Sequence, residues 1–343
     1  MVASELDIEQ PQQLTAYLQG RGKLRAGEVP EIRPLGGGVS NRVVLVRRAS
    51  GEAWVVKQSL PRLRVEVEWF CDPGRGTKEA LATRWLERLL PPGTVPRLVF
   101  EDPDRHLLAI EAVPDPHQNW KSLLLSGQLE ASHVQAFARL LATIHAGARF
   151  HFPAAAAAFH DRSVFESLRI EPYFLYTARQ VPEAAEFLFR VVDEVRSHQL
   201  TLVHGDYSPK NVLIHHRRLI LLDHEVAHLG DPAFDLGFSL THLLSKAHHL
   251  QGLRARFGQA AIDYWQTYLA VLGDASWALD LEQRTVRVTL ACLLARVAGR
   301  SPLEYLTPVE RERQGAATIR LMRKEPDGVS TLVTRFLEEL AHA

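Results

Sequence analysis

The feature that most constrains this chain is a change of hydrophobic period near residue 113. Before it, short apolar runs read as strands. Arg42-Val-Val-Leu-Val-Arg48 and Ala53-Trp-Val-Val-Lys-Gln-Ser59 flank Ala49-Ser-Gly-Glu52, a composition suited to a hairpin turn. Arg97-Leu-Val-Phe-Glu101 and His106-Leu-Leu-Ala-Ile-Glu111 make a second pair around Asp102-Pro-Asp-Arg105. Between the pairs, Leu81, Ala82, Trp85, Leu86 and Leu89 recur at helical spacing, and Pro91-Pro-Gly93 stops that helix. Val113-Pro-Asp-Pro-His117 then breaks both patterns and serves as a connector. Beyond it the spacing turns helical, through Val134, Phe137, Leu141 and Ile144, and through Leu188, Val191 and Val195. Ile262, Trp265, Leu269 and Leu272 make a third such face, and Ala291, Leu294 and Val297 a fourth. Ala154 to Ala158 reads as a linker or helix start. The expectation is an α+β chain of two lobes: a small antiparallel β lobe over residues 1–112 and a mostly helical lobe over 113–343.

Composition narrows the partners. Lys+Arg and Asp+Glu both total 40, so no net field favours nucleic acid or an anionic membrane. Two cysteines, Cys71 and Cys292, are too few for a disulfide framework or a cysteine metal site. The N-terminus lacks a basic and then apolar leader, and no uncharged apolar run is long enough to span a bilayer. These features predict a cytoplasmic protein that meets a small molecule.

Inside the helical half lies a β-like island, residues 201 to 223. Leu202-Val-His-Gly-Asp-Tyr-Ser-Pro-Lys-Asn-Val-Leu-Ile214 places a polar loop between two apolar strands, and Arg218-Leu-Ile-Leu-Leu-Asp223 ends a strand on an acid. Phosphoryl transfer from ATP needs a carboxylate near the attacking hydroxyl and oxygen ligands that hold Mg²⁺ against the phosphates. Asp206 suits the first task; Asn211 and Asp223 suit the second. Asn211 follows Asp206 by five residues, the offset of the kinase catalytic loop HRDxxxxN. The bland alternative is a polar hairpin whose Asp and Asn only satisfy a turn.

Upstream, Leu35-Gly-Gly-Gly-Val-Ser-Asn41 precedes a strand. Backbone N–H groups at Gly37, Gly38 and Ser40 can approach phosphate oxygens there, although the run departs from G-x-G-x-x-G and a triple glycine also makes a plain flexible turn. Lys57 sits within an apolar strand, where it needs a partner unless the strand is an edge and the ammonium reaches water. Glu79 on the inserted helix is its natural partner, with Glu66 and Glu68 as rivals.

Glycine-rich loop, Lys57, Glu79, connector, His204-Gly-Asp206 with Asn211, and Asp223 occur in kinase order. With Gly230-Asp-Pro-Ala-Phe-Asp-Leu-Gly237, the chain resembles the aminoglycoside phosphotransferase and choline kinase superfamily over nearly its whole length. The resemblance implies a two-lobed protein-kinase-like fold, ATP with adenine on the connector near Glu111 and Val113, and Asp206 as catalytic base. It also implies Mg²⁺ on Asn211 and Asp223, and Asp235 bracing the catalytic loop. Asp231, before Pro232, is expected to cap the helix that follows. Gly205 replaces the arginine of protein kinases, Ser208 replaces their lysine, and Asp223-His-Glu225 replaces Asp-Phe-Gly. These departures point to a small-molecule hydroxyl acceptor. Glu225 is expected to reach a second Mg²⁺ or that hydroxyl, as in methylthioribose kinases, which Trp54-Val-Val-Lys-Gln58 also resembles.

Two other classes remain open on sequence alone. His224-Glu-Val-Ala-His228 fits H-E-x-x-H, a zinc-peptidase signature if it lies on a helix. An inactive nucleotide-binding regulator is the other, although Lys57, Asp206, Asn211 and Asp223 are all retained. For the acceptor, Arg296 and Arg300 are either anion ligands or ordinary helix-end charges, and Trp120-Lys121 is a possible rim.

Overall fold

The computed structural model describes residues 6–36, 39–65, 68–273 and 276–341. Both expected hairpins form, within a residue or so of the expected bounds. They join one five-stranded antiparallel sheet in the order β1-β2-β3-β5-β4, built from β1 (Glu31–Pro34), β2 (Asn41–Arg47), β3 (Ala53–Ser59), β4 (Leu98–Asp102) and β5 (Leu107–Glu111). β3 is the central strand, and Lys57 lies opposite Val43 on one side and Leu108 on the other. It is therefore no edge-strand lysine reaching water; it is buried. Helix α1 (Pro11–Gly20) was not foreseen, because a single apolar pair, Leu14 and Leu18, carries its packing. That pair closes a small separate core with Val44, Val46, Trp54 and Val56. Helix α2 (Arg75–Leu89) instead sends Ala82 and Leu86 into the core of the second lobe.

The second lobe is helical: α3 (Ala131–Phe150), α4 (Ala185–Ser197), α5 (Pro232–His249), α6 (Arg254–Leu272), α7 (Leu281–Ala298), α8 (Pro308–Arg323) and α9 (Val329–Ala341). α5 is buried on every face from Pro232 to His248. A Cβ at Gly237 would fall 2.7 Å from Val288 Cγ1, so glycine allows α5 and α7 to touch. Asp231 caps α5, accepting from Ala233 N at 3.0 Å. In α6 the expected face holds at Trp265 and Leu272, which are buried, and is corrected at Leu269, which is exposed; Phe257, Ala261, Tyr264 and Tyr268 also turn inward. Aromatic rings bury more apolar area than a leucine and so set the rotation of the helix. The alanine run lies inside a short helix, Phe152–Phe159.

The β-like island becomes two small sheets. β6 (His117–Asn119), β8 (Val212–His215) and β9 (Arg218–Leu221) form one; β7 (Thr201–Val203) pairs with β10 (His228–Gly230) in the other. Ahead of them the chain runs from Ser163–Phe165 through a π-helix, Glu166–Leu175, into Tyr176–Gln180. Pro172 sits inside the π-helix, whose wider bonding accommodates a residue with no N–H to give. Among the described residues, no helix is long and apolar enough to cross a membrane.

Candidate active site

The loop after β7 is held from behind. Asp235, fully buried on α5, accepts the backbone N–H of His204 at 2.6 Å and of Gly205 at 2.8 Å. Burial opposes its charge, yet hydrogen bonds from His145 and His204 keep its pKa below the usual carboxylate value. Asp235 thus braces the loop. Gly205 has φ +75°, and a Cβ there would lie 2.8 Å from Val226 O. Only glycine fits that position. Beyond Asp206, the Tyr207 hydroxyl donates to Phe137 O at 2.7 Å and its ring stacks on Phe137. Asp206 is pinned on both sides.

Its carboxylate is held as firmly. Asn211 Nδ2 donates to Asp206 Oδ2 at 2.6 Å, and Arg169 Nη2 lies 2.8 Å from Asp206 Oδ1. Arg169 also donates from Nε to Gly205 O at 2.8 Å. Sequence reasoning missed Arg169, because it arrives from the π-helix, 37 positions before Asp206 in a segment with no readable period. Asn211 gives its amide N–H to Asp206, which leaves its amide oxygen without a partner among the described residues.

Asp223 follows β9 with φ +66°, an uncommon backbone state for a non-glycine residue. Lys57 Nζ lies 2.6 Å from Glu79 Oε1 and 3.1 Å from Asp223 Oδ1. Glu68 does not compete here, since it pairs with Arg62 at 3.9 Å; Glu66 lies outside the described residues. Glu225 Oε2 accepts from Asn41 Nδ2 at 2.9 Å and from the fully buried Arg75 Nε at 3.1 Å. Arg75, a second residue missed from sequence, also donates to Leu60 O at 2.9 Å and to Ser40 O.

Glu79, Asp223 and Glu225 place oxygens within 4.8 Å of one another. Burial raises the Glu79 pKa; Lys57 opposes this, and the charges on Asp223 and Glu225 add to it, leaving the carboxyl at about 7. Asp223 stays below the usual range, since Lys57 and Lys210 outweigh its burial. Clustered carboxylate oxygens with an adjacent amide oxygen are the donor set of a hard divalent cation, and Mg²⁺ fits it. Asp223, a quarter exposed, and Asn211 both open onto the cleft described next.

Two cavities meet here. A cleft of about 730 Å³ between the lobes is lined by Gly36, Val55, Ile110, Glu111 and Val113 above, and by Leu213 and Leu222 below. A second cavity of about 490 Å³ is lined by Asp206, Ser40 and Glu225 and by side chains of the helical lobe. Lys57, Lys210 and Asp223 line both. Lys210, four residues after Asp206, was the one overlooked residue with a local signal: a cation inside the polar loop. Glu79 sits behind Lys57, and the Glu111 carboxylate turns to exposed Arg97 at 3.0 Å. Gly37 and Gly38 lie outside the described residues. Trp120 is corrected as a rim residue: it is fully buried against Phe137, while Lys121 does line the second cavity.

The zinc signature is also corrected. Residues 224–228 make a turn that leads into β10, with no helix to put His224 and His228 on one face. The His224 ring instead meets His204 Nε2 at 3.1 Å, and His228 stacks on Phe165. Burial pushes the His228 pKa down to about 3. Neither histidine belongs to the acidic cluster.

A β lobe over a helical lobe, with a charged cleft between them, defines the two-lobed kinase-like class. Structural comparison agrees. A choline/ethanolamine kinase family protein from Mesorhizobium loti superposes with a TM-score of 0.55 at 16% identity, covering 97% of this chain and 99% of that one. Plasmodium vivax ethanolamine kinase gives 0.55 at 11% identity over 94% and 91%. An amicoumacin kinase in complex with AMP-PNP and Ca²⁺ gives 0.54 at 13% over 87% and 89%. No curated protein matches the sequence significantly. The model of the phosphotransferase enzyme family matches residues 31–273, well over half of the chain, and the chain belongs to that family.

Proposed function

We propose that this phosphotransferase moves the γ-phosphoryl group of ATP to a hydroxyl of a small molecule, with Asp206 as catalytic base. One observation carries the proposal: Lys57, Lys210 and Asp223 stand where the two cavities join, and Asp206 opens onto the second cavity only. ATP lies in the cleft, adenine against Glu111 and Val113, with Gly36 and Ser40 near its phosphates. Asn211 and Asp223 hold Mg²⁺, which neutralises phosphate charge when bound. Glu225, on the acceptor side, receives the substrate hydroxyl or a second ion.

Asp206 accepts the proton of the acceptor hydroxyl. A new bond forms between that oxygen and the γ-phosphorus as the bond to the β-phosphate oxygen breaks, and ADP leaves. Arg169 keeps Asp206 aimed; Lys57 and Lys210 offset charge on the phosphates. Positioning supplies most of the acceleration. The fold neighbours named as choline/ethanolamine, ethanolamine and amicoumacin kinases support an alcohol acceptor in general terms. The proposed setting is the cytoplasm, without nucleic-acid or membrane partners.

The test is Mg²⁺-dependent ATP consumption across sugars, amino alcohols, hydroxy acids and aminoglycosides, with Asp206→Ala alongside. Stimulation by one class, lost in the variant, supports the proposal. Stimulation that survives in Asp206→Ala sinks the assignment of the base.

A further inference from the structure

The second cavity has a charge imbalance in its wall. Its four acids are each paired: Asp206 with Arg169, Asp223 with Lys57, Glu225 with Arg75, and Glu304 with Lys121. Arg296 on α7 is left over. It is buried to 9% exposure, and no described carboxylate lies within ion-pair distance. Its Nη1 group takes all of its protein hydrogen bonds, to Tyr173 Oη at 3.1 Å, Ser301 Oγ at 2.9 Å and Ser301 O. Nε has no partner. His242, in the same wall at 5% exposure, has no partner on Nε2. Arg300 at the mouth meets Glu171 only at 3.5 Å. Beneath His242, Lys246 is fully buried, donates to His242 O at 3.2 Å and pairs with no acid. Burial lowers its pKa to about 7, with Lys121 and Arg296 adding to that and Glu304 opposing it.

A desolvated guanidinium with no carboxylate is costly unless a ligand supplies the counter-charge. Guanidinium forks match planar oxyanions. An amino group placed here would face Arg296 and Arg300, which line the cavity. We propose that the acceptor carries an oxyanion, a carboxylate or a phosphate, which seats between Arg296, Arg300 and His242 while its hydroxyl reaches Asp206.

This rests on the phosphotransferase proposal above, and the test separates the two. The intact chain, saturated with AMP-PNP and Mg²⁺, is titrated calorimetrically with gluconate, glucose 6-phosphate, glucose and ethanolamine. Nucleotide affinity is measured separately. One of the two anions is expected to bind about tenfold or more tightly than glucose, and which one names the oxyanion. Arg296→Gln is expected to weaken that binding by about ten- to a hundredfold. Arg296→Lys should restore part of it, and the partly exposed Arg300→Gln guards against a misfolded Arg296 variant with a smaller loss of the same sign. Glucose or ethanolamine binding as well as both anions, or anion affinity unchanged in Arg296→Gln and Arg300→Gln, overturns this proposal and leaves the kinase proposal standing. Failure of AMP-PNP to bind the wild-type chain overturns both.

Discussion

The cleft between the lobes and the cavity beside it share Lys57, Lys210 and Asp223, yet they are assembled differently. The cleft is walled by neighbouring strands and a connector, and most of its lining is apolar, with seven charged residues of 23. The cavity draws its walls from segments as distant as Val39 and Glu304, and ten of its 25 lining residues are charged. A shared cofactor needs only backbone and a few fixed side chains. A particular acceptor needs side chains that long-range packing delivers.

The largest effect expected from breaking this comparison is beside the junction, in the second cavity. Asp206→Asn should lower turnover about 10³-fold while nucleotide affinity stays within a few-fold. Equal losses in both would show that the two cavities are not separable. Lys57→Met should strand two carboxylates and cost about 3–5 kcal/mol in urea unfolding, with Glu79→Gln in the same chain recovering part of it. No recovery would mean Glu79 is not the partner whose charge matters. Gly205→Ala should cost about 1–3 kcal/mol, or most of the activity if the loop yields instead, because its φ and Val226 leave no room.

A pH test sharpens the cavity side. An unfolded lysine titrates near 10.4, whereas burial sets Lys246 at about 7. Between those values the unfolded chain holds a proton that the folded chain lacks, so stability from this group rises with pH across that window, by at most about 1.4 kcal/mol per unit. Urea midpoints at pH 7 and 9 should therefore rise more in wild type than in Lys246→Met. Parallel curves would show that the folded chain keeps the proton. The smallest effect is expected at Glu111→Ala, which removes an exposed pair with Arg97 and should change nucleotide affinity less than about threefold, as backbone recognition of adenine requires.

How far the fold and site could be read follows the same division. Strands β2 to β5, α2, the catalytic loop and Asp235 were legible, since period, turn residues and short offsets are local signals. α1 escaped because Leu14 and Leu18 make one pair and no pattern. α6 departs at Leu269 because tyrosines outranked leucines for burial. Arg169 and Arg75 escaped for a deeper reason: each is an ordinary arginine until the fold sets it against Asp206 or Glu225. His224 and His228 are the opposite case. Their spacing is local, but it means something only on a helix, and Leu219 to Leu221 continue as strand.

The π-helix before the catalytic loop has a consequence of counting. Its i→i+5 bonds store one residue more than an α-helix would hold over the same rise. Removing a single residue between Glu166 and Leu175 would take out that stored residue and let the segment relax to the commoner helix, changing the directions of the side chains inside it. Arg169, anchored now on Asp206 and Gly205 O, would then face elsewhere. This stretch should tolerate a change of length less well than a change of its exposed side chains, so that the aim of the Asp206 carboxylate depends on a tally of residues as much as on their chemistry.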